Sequence, residues 1–327
     1  MIKKIFLLVS AVLLLAVVAI MVWRHQPIIP ATSAPIDFTV TPGSSVRSSI
    51  AQLVAVGVPV QPVLLEVLAR ASGRSARMKA GQYRLKPGTT PVQLLDQLVR
   101  GEFAQEALVI IEGWTFAEMR RAVAAHPGLK HETVQLSESA LLAKIAPELK
   151  VGEGLFFPDT YRFATNASDL DIYLQAHAMM QKKLALHWQQ RAPDLPYKNS
   201  YEALTMASIV EKETGQESER RQIASVFVNR LRRGMLLQTD PTVIYGMGQQ
   251  YQGNIRKKDL QTDTPYNTYM RVGLPPTPIS LPGERSLQAA LNPEKSESLY
   301  FVSRGNGTSH FSDNLGDHNR AVNKYQR

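Results

Sequence analysis

The chain contains no cysteine in its 327 residues. That absence excludes disulfide staples, thiolate metal sites and cysteine nucleophiles together, and it suits an oxidising compartment such as a periplasm. Acidic residues are in deficit, 28 Asp and Glu against 37 Lys and Arg, for a formal net charge of +9. A basic balance fits nucleic acid, an anionic membrane surface or an acidic polymer, and charge alone does not choose among them. Long apolar runs are missing with one exception, residues 5–23, preceded by Lys3 and Lys4. About nineteen apolar residues are enough to cross a hydrocarbon layer of roughly 30 Å. The lysines keep the amino terminus in the cytoplasm by the positive-inside tendency, exporting everything after Arg24 and setting Trp23 at the interface. The run exceeds the usual signal-peptide core and no small-x-small site follows closely, which favours an uncleaved anchor over a cleaved signal. The expectation is a single-pass inner-membrane protein with a periplasmic bulk, for which nucleic acid is not an expected partner.

With 44% hydrophobic residues the chain is long enough for two or three domains with cores of their own. Residues 26–35 carry three prolines among small residues and read as a linker. A pattern then occurs twice: FTVTPGSSV at residues 38–46 and YRLKPGTTPV at residues 83–92. Each is a short strand, a Pro-Gly turn, two hydroxyl residues able to cap a helix, and an apolar-periodic helix. Ile50, Leu53 and Val54 form the stripe in the first copy, and Leu94, Leu95, Leu98 and Val99 in the second. Residues 62–72 read as a further helix. The repeats resemble LysM modules, which bind the N-acetylglucosamine of cell-wall glycans. They read equally as a small α/β spacer, since neither shows an exposed aromatic platform.

The most informative stretch is residues 201–246. Leu204, Ala207, Ser208 and Glu211 recur on one helical face and Gly215 supplies a stop. Glu213 falls on the last turn, where the helix dipole disfavours negative charge and so favours a protonated acid. A second helix carries Ile223, Val226, Phe227, Arg230 and Leu231 and ends at Arg232, Arg233 and Gly234. Gln238, Thr239, Asp240 and Pro241 follow as a polar turn able to line a cleft. From charge pattern alone, Glu211, Lys212, Glu213 and Glu217 also read as a solvated helix end.

The words ASIVEKET, VFVNRL, LQTDPTVIYG, YNTY and GLPP, in that order, together with GLFFPDTYRF at residues 154–163 and LYFVSRGNGTSHF at 299–311, resemble the endolytic murein transglycosylase or YceG-like family. The likeness covers roughly the last two-thirds of the chain. It implies cleavage between N-acetylmuramic acid and N-acetylglucosamine in nascent glycan strands, leaving 1,6-anhydro ends and terminating elongation, with no cofactor and with glycan-polymerising synthases as neighbours. It also implies that the second glutamate of VEKET, Glu213, is the catalytic acid. Ordinary glycosidases use two carboxylates; this reaction needs one, which protonates the glycosidic oxygen and then takes the C6 hydroxyl proton. Glu213 is therefore expected in an apolar or partly dehydrated pocket that raises its pKa. Glu211, about 200° around the helix, is expected to be structural, and Glu217 reaches the same face only if the helix passes Gly215.

Gln238, Thr239, Asp240, Tyr245, Asn267 and Tyr161 are the expected substrate contacts. Asp240 also reads as the second carboxylate of a hydrolase, or as a turn residue before Pro241. Phe156, Phe157 and Phe163 are expected in the core. Helices are expected over residues 114–125, 137–145, 172–191 and 287–291, a rigid proline-rich loop over 273–278, and a hairpin from strands at 299–303 and 309–312. His310, Asp313, Asp317 and His318 match no helical His-x-x-x-His pair, Gly316 interrupts them and no cysteine supports them, so a structural or substrate-contact role is expected and no metal. The whole reads as α+β: an anchor over residues 1–25, a linker over 26–35, a LysM-like module over 36–105 and a catalytic domain over 106–327. Two alternatives remain: a water-dependent muramidase using Glu213 and Asp240, and a non-catalytic, membrane-anchored peptidoglycan-binding protein.

Overall fold

The computed structural model describes residues 2–326, without the side chains of residues 2–9, 13 and 16. Helices and short two-stranded sheets alternate in two compact units. The first comprises residues 1–106 and 162–166; the second comprises residues 107–161 and 167–327.

The first unit begins with α1 (Ile2–Trp23). The expected membrane span at residues 5–23 lies partly outside the described side chains. What is described, from Ser10 onward, is shorter than the about 20 residues a span requires. Among the described residues no helix is long and apolar enough to cross a membrane. The single-pass inner-membrane location is corrected accordingly.

Strands β1 (Ile36–Val40) and β2 (Gly81–Leu85), one from each repeat, pair antiparallel with Phe38 opposite Tyr83. Between them lie α2 (Val46–Ala55) and α3 (Pro62–Ala71), and after them α4 (Pro91–Arg100). The Pro-Gly turns work because Gly43 and Gly88 take φ of 78° and 81°, where a side chain is strained. The hydroxyls then cap as read: Ser45 accepts from the N–H of Ser48, and Thr90 and Gln93 close a reciprocal capping box. Leu53, Tyr83, Leu94 and Leu98 of the two repeats and Leu65 of the intervening α3 bury into one shared core, whereas Val54 of the first stripe stays exposed. The proline-rich residues 26–35 are tied to this core. Ile29 is buried, the Ile28 N–H donates to the Thr89 carbonyl at 2.7 Å, and the Gly88 N–H donates to Ile29 at 3.1 Å.

Strand β3 (Gln105–Val109) leads to α5 (Phe116–Ala125), β4 (Leu129–Lys130) and α6 (Glu138–Ile145). Then come β5 (Thr160–Ala164), paired with β3, and β6 (Ala167–Ser168), parallel to β4. Long α7 (Asp169–Gln189) precedes α8 (Ser200–Glu213), whose residues 203–210 are all buried. A helix apolar on every side must be packed on every side. α8 is enclosed by α7, by α9 (Arg220–Arg232) and α10 (Asp240–Met247), and, after short α11 (Lys257–Gln261), by α12 (Glu284–Leu291). Strands β7 (Tyr300–Ser303) and β8 (Ser309–Ser312) form an antiparallel hairpin, and α13 (Leu315–Tyr325) packs against both. The stretch read as a turn through Asp240 and Pro241 is the start of α10, since proline is favoured in a first turn, where its missing N–H costs nothing.

Candidate active site

Glu213 is the last residue of α8, and Thr214 leaves the helix in an extended conformation. A fully packed helix thus delivers one carboxyl group at its open end. The Thr239 hydroxyl donates to Glu213 Oε1. Thr239 is itself held: its N–H donates to Thr268 Oγ1 at 3.1 Å, and its carbonyl accepts from the Thr242 hydroxyl at 2.7 Å. Thr239, Thr242 and Thr268 are all buried, so the hydroxyl facing Glu213 has little freedom. Burial pushes the Glu213 carboxyl up to about 7; the Thr239 bond pulls it down, and the Asp240 charge raises it. No cation touches it among the described residues. An acid poised near neutrality can both give and take a proton.

Two residues back, Glu211 has a different setting. Its Oε2 lies 3.4 Å from Arg220 Nη1 and accepts the Gly283 N–H at 2.9 Å, while Arg220 Nη1 also donates to the Ser286 hydroxyl at 2.9 Å. It ties α8 to α9 and to the start of α12. Glu217 pairs with Arg285 at the surface.

The expected substrate wall divides. Thr239 and Asp240 stand beside Glu213. Asp240 is exposed, and its Oδ1 accepts the Tyr269 hydroxyl at 2.5 Å. Burial and that bond push the Tyr269 phenol up. Gln238 is exposed with φ of 52°, and its Oε1 accepts from Arg230 Nη1 at 3.2 Å. Arg230 also donates to the carbonyls of Leu236, Leu237 and Leu299, which pins the chain entering the site. Tyr245 is half-buried on α10.

Asn267 and Tyr161 do not join this wall. Asn267 is 1% exposed; its amide nitrogen donates to the carbonyls of Asp259, Leu260 and Thr262, and its oxygen accepts the Tyr269 N–H. It braces the loop that presents Tyr269. Tyr161 is buried, with its hydroxyl on the Phe157 carbonyl at 2.6 Å. Phe156, Phe157 and Phe163 are buried as expected. The His310 to His318 segment is occupied otherwise: Asp313 accepts from the Ser298 hydroxyl and His318 stacks on Tyr300. Among the described residues no three His, Asp or Glu side chains group to hold a metal.

Sequence reading missed Tyr269, Thr268 and Glu153. Tyr269 and Thr268 lie inside YNTY and carried no separate signal. Glu153 directly precedes GLFFPDTYRF and is 4% exposed, and its signal was a lone acid heading an apolar run.

Fold and site together define an α+β protein that presents a carboxylic acid at the end of a packed helix, held by the hydroxyl of a buried threonine. The chain belongs to the YceG-like family, whose sequence model matches residues 38–324. An endolytic murein transglycosylase of Bacillus subtilis (strain 168) is 29% identical over 327 aligned positions, covering 92% of this chain and 87% of its own length. A protein of the same name from Streptococcus pneumoniae (strain ATCC BAA-255 / R6) is 31% identical over 281 positions, 75% of this chain and 50% of that protein, so the chain spans about half of this relative. The crystal structure of a YceG-like protein from Listeria monocytogenes superposes with a TM-score of 0.55 at 30% identity, covering 88% of this chain and 99% of that one.

Proposed function

We propose that the chain is a lytic transglycosylase of peptidoglycan and that Glu213 is its single acid and base. The observation that carries this is the setting of Glu213, a carboxyl group raised to about 7 by burial, held by a neutral hydroxyl and, among the described residues, facing no cation. The protonated acid gives its proton to the oxygen between N-acetylmuramic acid and N-acetylglucosamine, and the bond from that oxygen to C1 of the muramic sugar breaks. The Glu213 carboxylate then takes the proton from the C6 hydroxyl of the same sugar, whose oxygen closes on C1. No water is consumed, and the product carries a 1,6-anhydro end.

The Asp240 charge that raises Glu213 also favours positive character at C1 in the transition state. Gln238, Asp240 and Tyr245 are the polar groups placed to meet the glycan's hydroxyl and N-acetyl groups. Endolytic cutting of nascent strands ends their elongation, which gives glycan-polymerising synthases as working neighbours.

The test is digestion of purified peptidoglycan by the full chain, wild type beside Glu213→Gln, with mass spectrometry of the fragments. Anhydro-ended fragments from within strands, lost in the variant, are the expected result. Fragments heavier by one water would replace this mechanism with hydrolysis by Glu213 and Asp240. Binding without cleavage by either protein would reduce the chain to a glycan-binding protein.

A further inference from the structure

The far end of α10 rests on a second buried carboxyl group. Glu153 Oε1 accepts the Phe116 N–H at 2.9 Å, the first amide of α5, and Glu153 Oε2 accepts the Tyr245 hydroxyl at 3.1 Å. Both oxygens are therefore acceptors, the pattern of an ionised carboxylate. The first donor is a backbone amide and cannot be turned round. Tyr245 is held sideways as well, by Tyr266 with ring centroids 4.8 Å apart, and the Tyr266 hydroxyl lies 2.9 Å from that of Thr277. One helix thus has Thr239 and Asp240 beside Glu213 at its start and Tyr245 on Glu153 near its end.

We propose that Glu153 is a positioning residue for the glycan site: by accepting the Tyr245 proton it turns that oxygen's lone pairs outward, so that Tyr245 accepts a hydrogen bond from a hydroxyl or N-acetyl N–H of the bound sugar. A phenol has one proton to give. While Glu153 holds it, a sugar donor is matched at Tyr245 and a sugar acceptor is not. Glu153→Gln reverses this. The glutamine oxygen must stay on the Phe116 N–H, its amide NH2 faces Tyr245, and the phenol proton is driven toward the substrate.

The titratable groups that act on Glu153 are Tyr245 on α10, Tyr201 on α8 and Glu138 on α6. Burial is the largest influence on its carboxyl, which is pushed up to about 7, with Glu138 adding to the rise and the Phe116 and Tyr245 bonds opposing it. Below that pH the carboxyl gains its own proton and competes with Tyr245 as a donor.

The inference rests on the glycan-cleaving reading, and steady-state cleavage of soluble uncrosslinked glycan strands separates the two. If wild type does not cleave, that reading fails; if wild type cleaves and KM ignores Glu153, only this inference fails. In full-length protein, Glu153→Gln is expected to raise KM about tenfold with kcat changed less than about threefold. Tyr245→Phe is expected to do the same, and the double variant no more than either alone. Wild-type KM is expected to rise as pH falls from 8 to 6, with that rise absent in Glu153→Gln. A purely structural role would lower kcat and melting temperature without removing the pH step, and that result, additive singles or an unchanged KM overturns the proposal. Should Glu153→Gln not fold, Tyr245→Phe decides alone, an unchanged KM refuting it.

Discussion

The two sides of the end of α8 differ more than their sequence suggests. Glu211 and Glu213 lie two residues apart, and both are sheltered from water. Glu211 meets a guanidinium and a backbone N–H and joins three helices, while Glu213, among the described residues, meets a threonine hydroxyl with the Asp240 charge nearby. A sheltered carboxylate with a guanidinium and a backbone N–H on it is tied into the packing and serves as a fastener. One without a cation, with a like charge near, is pushed toward its neutral form and becomes an acid. In the proposed reading the partner, more than burial, separates the fastener from the acid.

The sharpest way to break the contrast is to neutralise each side in turn. Glu213→Gln is expected to cut peptidoglycan cleavage by about 10³-fold or more while preserving the circular dichroism spectrum; residual cleavage within about tenfold of wild type would remove Glu213 from the chemistry. Glu211→Ala is expected to act on stability instead, costing about 3 kcal/mol in denaturant unfolding because Arg220 keeps its charge in a sheltered site without its carboxylate. A melt unchanged within about 0.5 kcal/mol would show that the pair is no fastener.

A smaller effect has a definite sign. The Glu213 carboxyl is raised in the folded state, so its contribution to stability is full below about 4.5 and is lost as pH rises through about 7. Glu213→Gln is therefore expected to melt higher than wild type above pH 7, by about 2 kcal/mol after allowance for solvent reaching the site, and equally below pH 4.5. Melting curves at pH 4.5 and 8 check this. The smallest effect belongs to Asp240→Asn. Removing that charge lowers the Glu213 pKa, so the alkaline limb of kcat should move to lower pH by less than about one unit. A shift to higher pH would contradict the assigned direction.

Local periodicity made much of the scaffold legible. Apolar spacing located the helices that became α8 and α9, and glycine after proline marked both turns of the repeats. Hydroxyls before apolar runs located the caps of α2 and α4. These are short-range effects, each settled within a few residues by backbone sterics and capping bonds. The last turn of α8 was legible for the same reason, so Glu213 was placed before any partner was known. Residues 238–241 were less so, because a Thr-Asp-Pro sequence begins a turn or a helix with equal ease. Packing against α8 selected the helix.

By itself, the sequence determined the α+β character, the repeated strand-turn-helix units and the position of one acid at a helix end. Tertiary structure alone decided which acid is which. Arg220 reaches Glu211 from α9, and the Gly283 N–H comes from the segment before α12. Thr239 meets Glu213 across 26 positions, and Tyr245 meets Glu153 across 92. Nothing local encodes such pairings. They also left Asn267 and Tyr161 buried, the amide of Asn267 spent on loop carbonyls and the hydroxyl of Tyr161 on the Phe157 carbonyl. A carboxyl group's charge depends on the dielectric and the partners around it, and both are assembled only when distant segments pack.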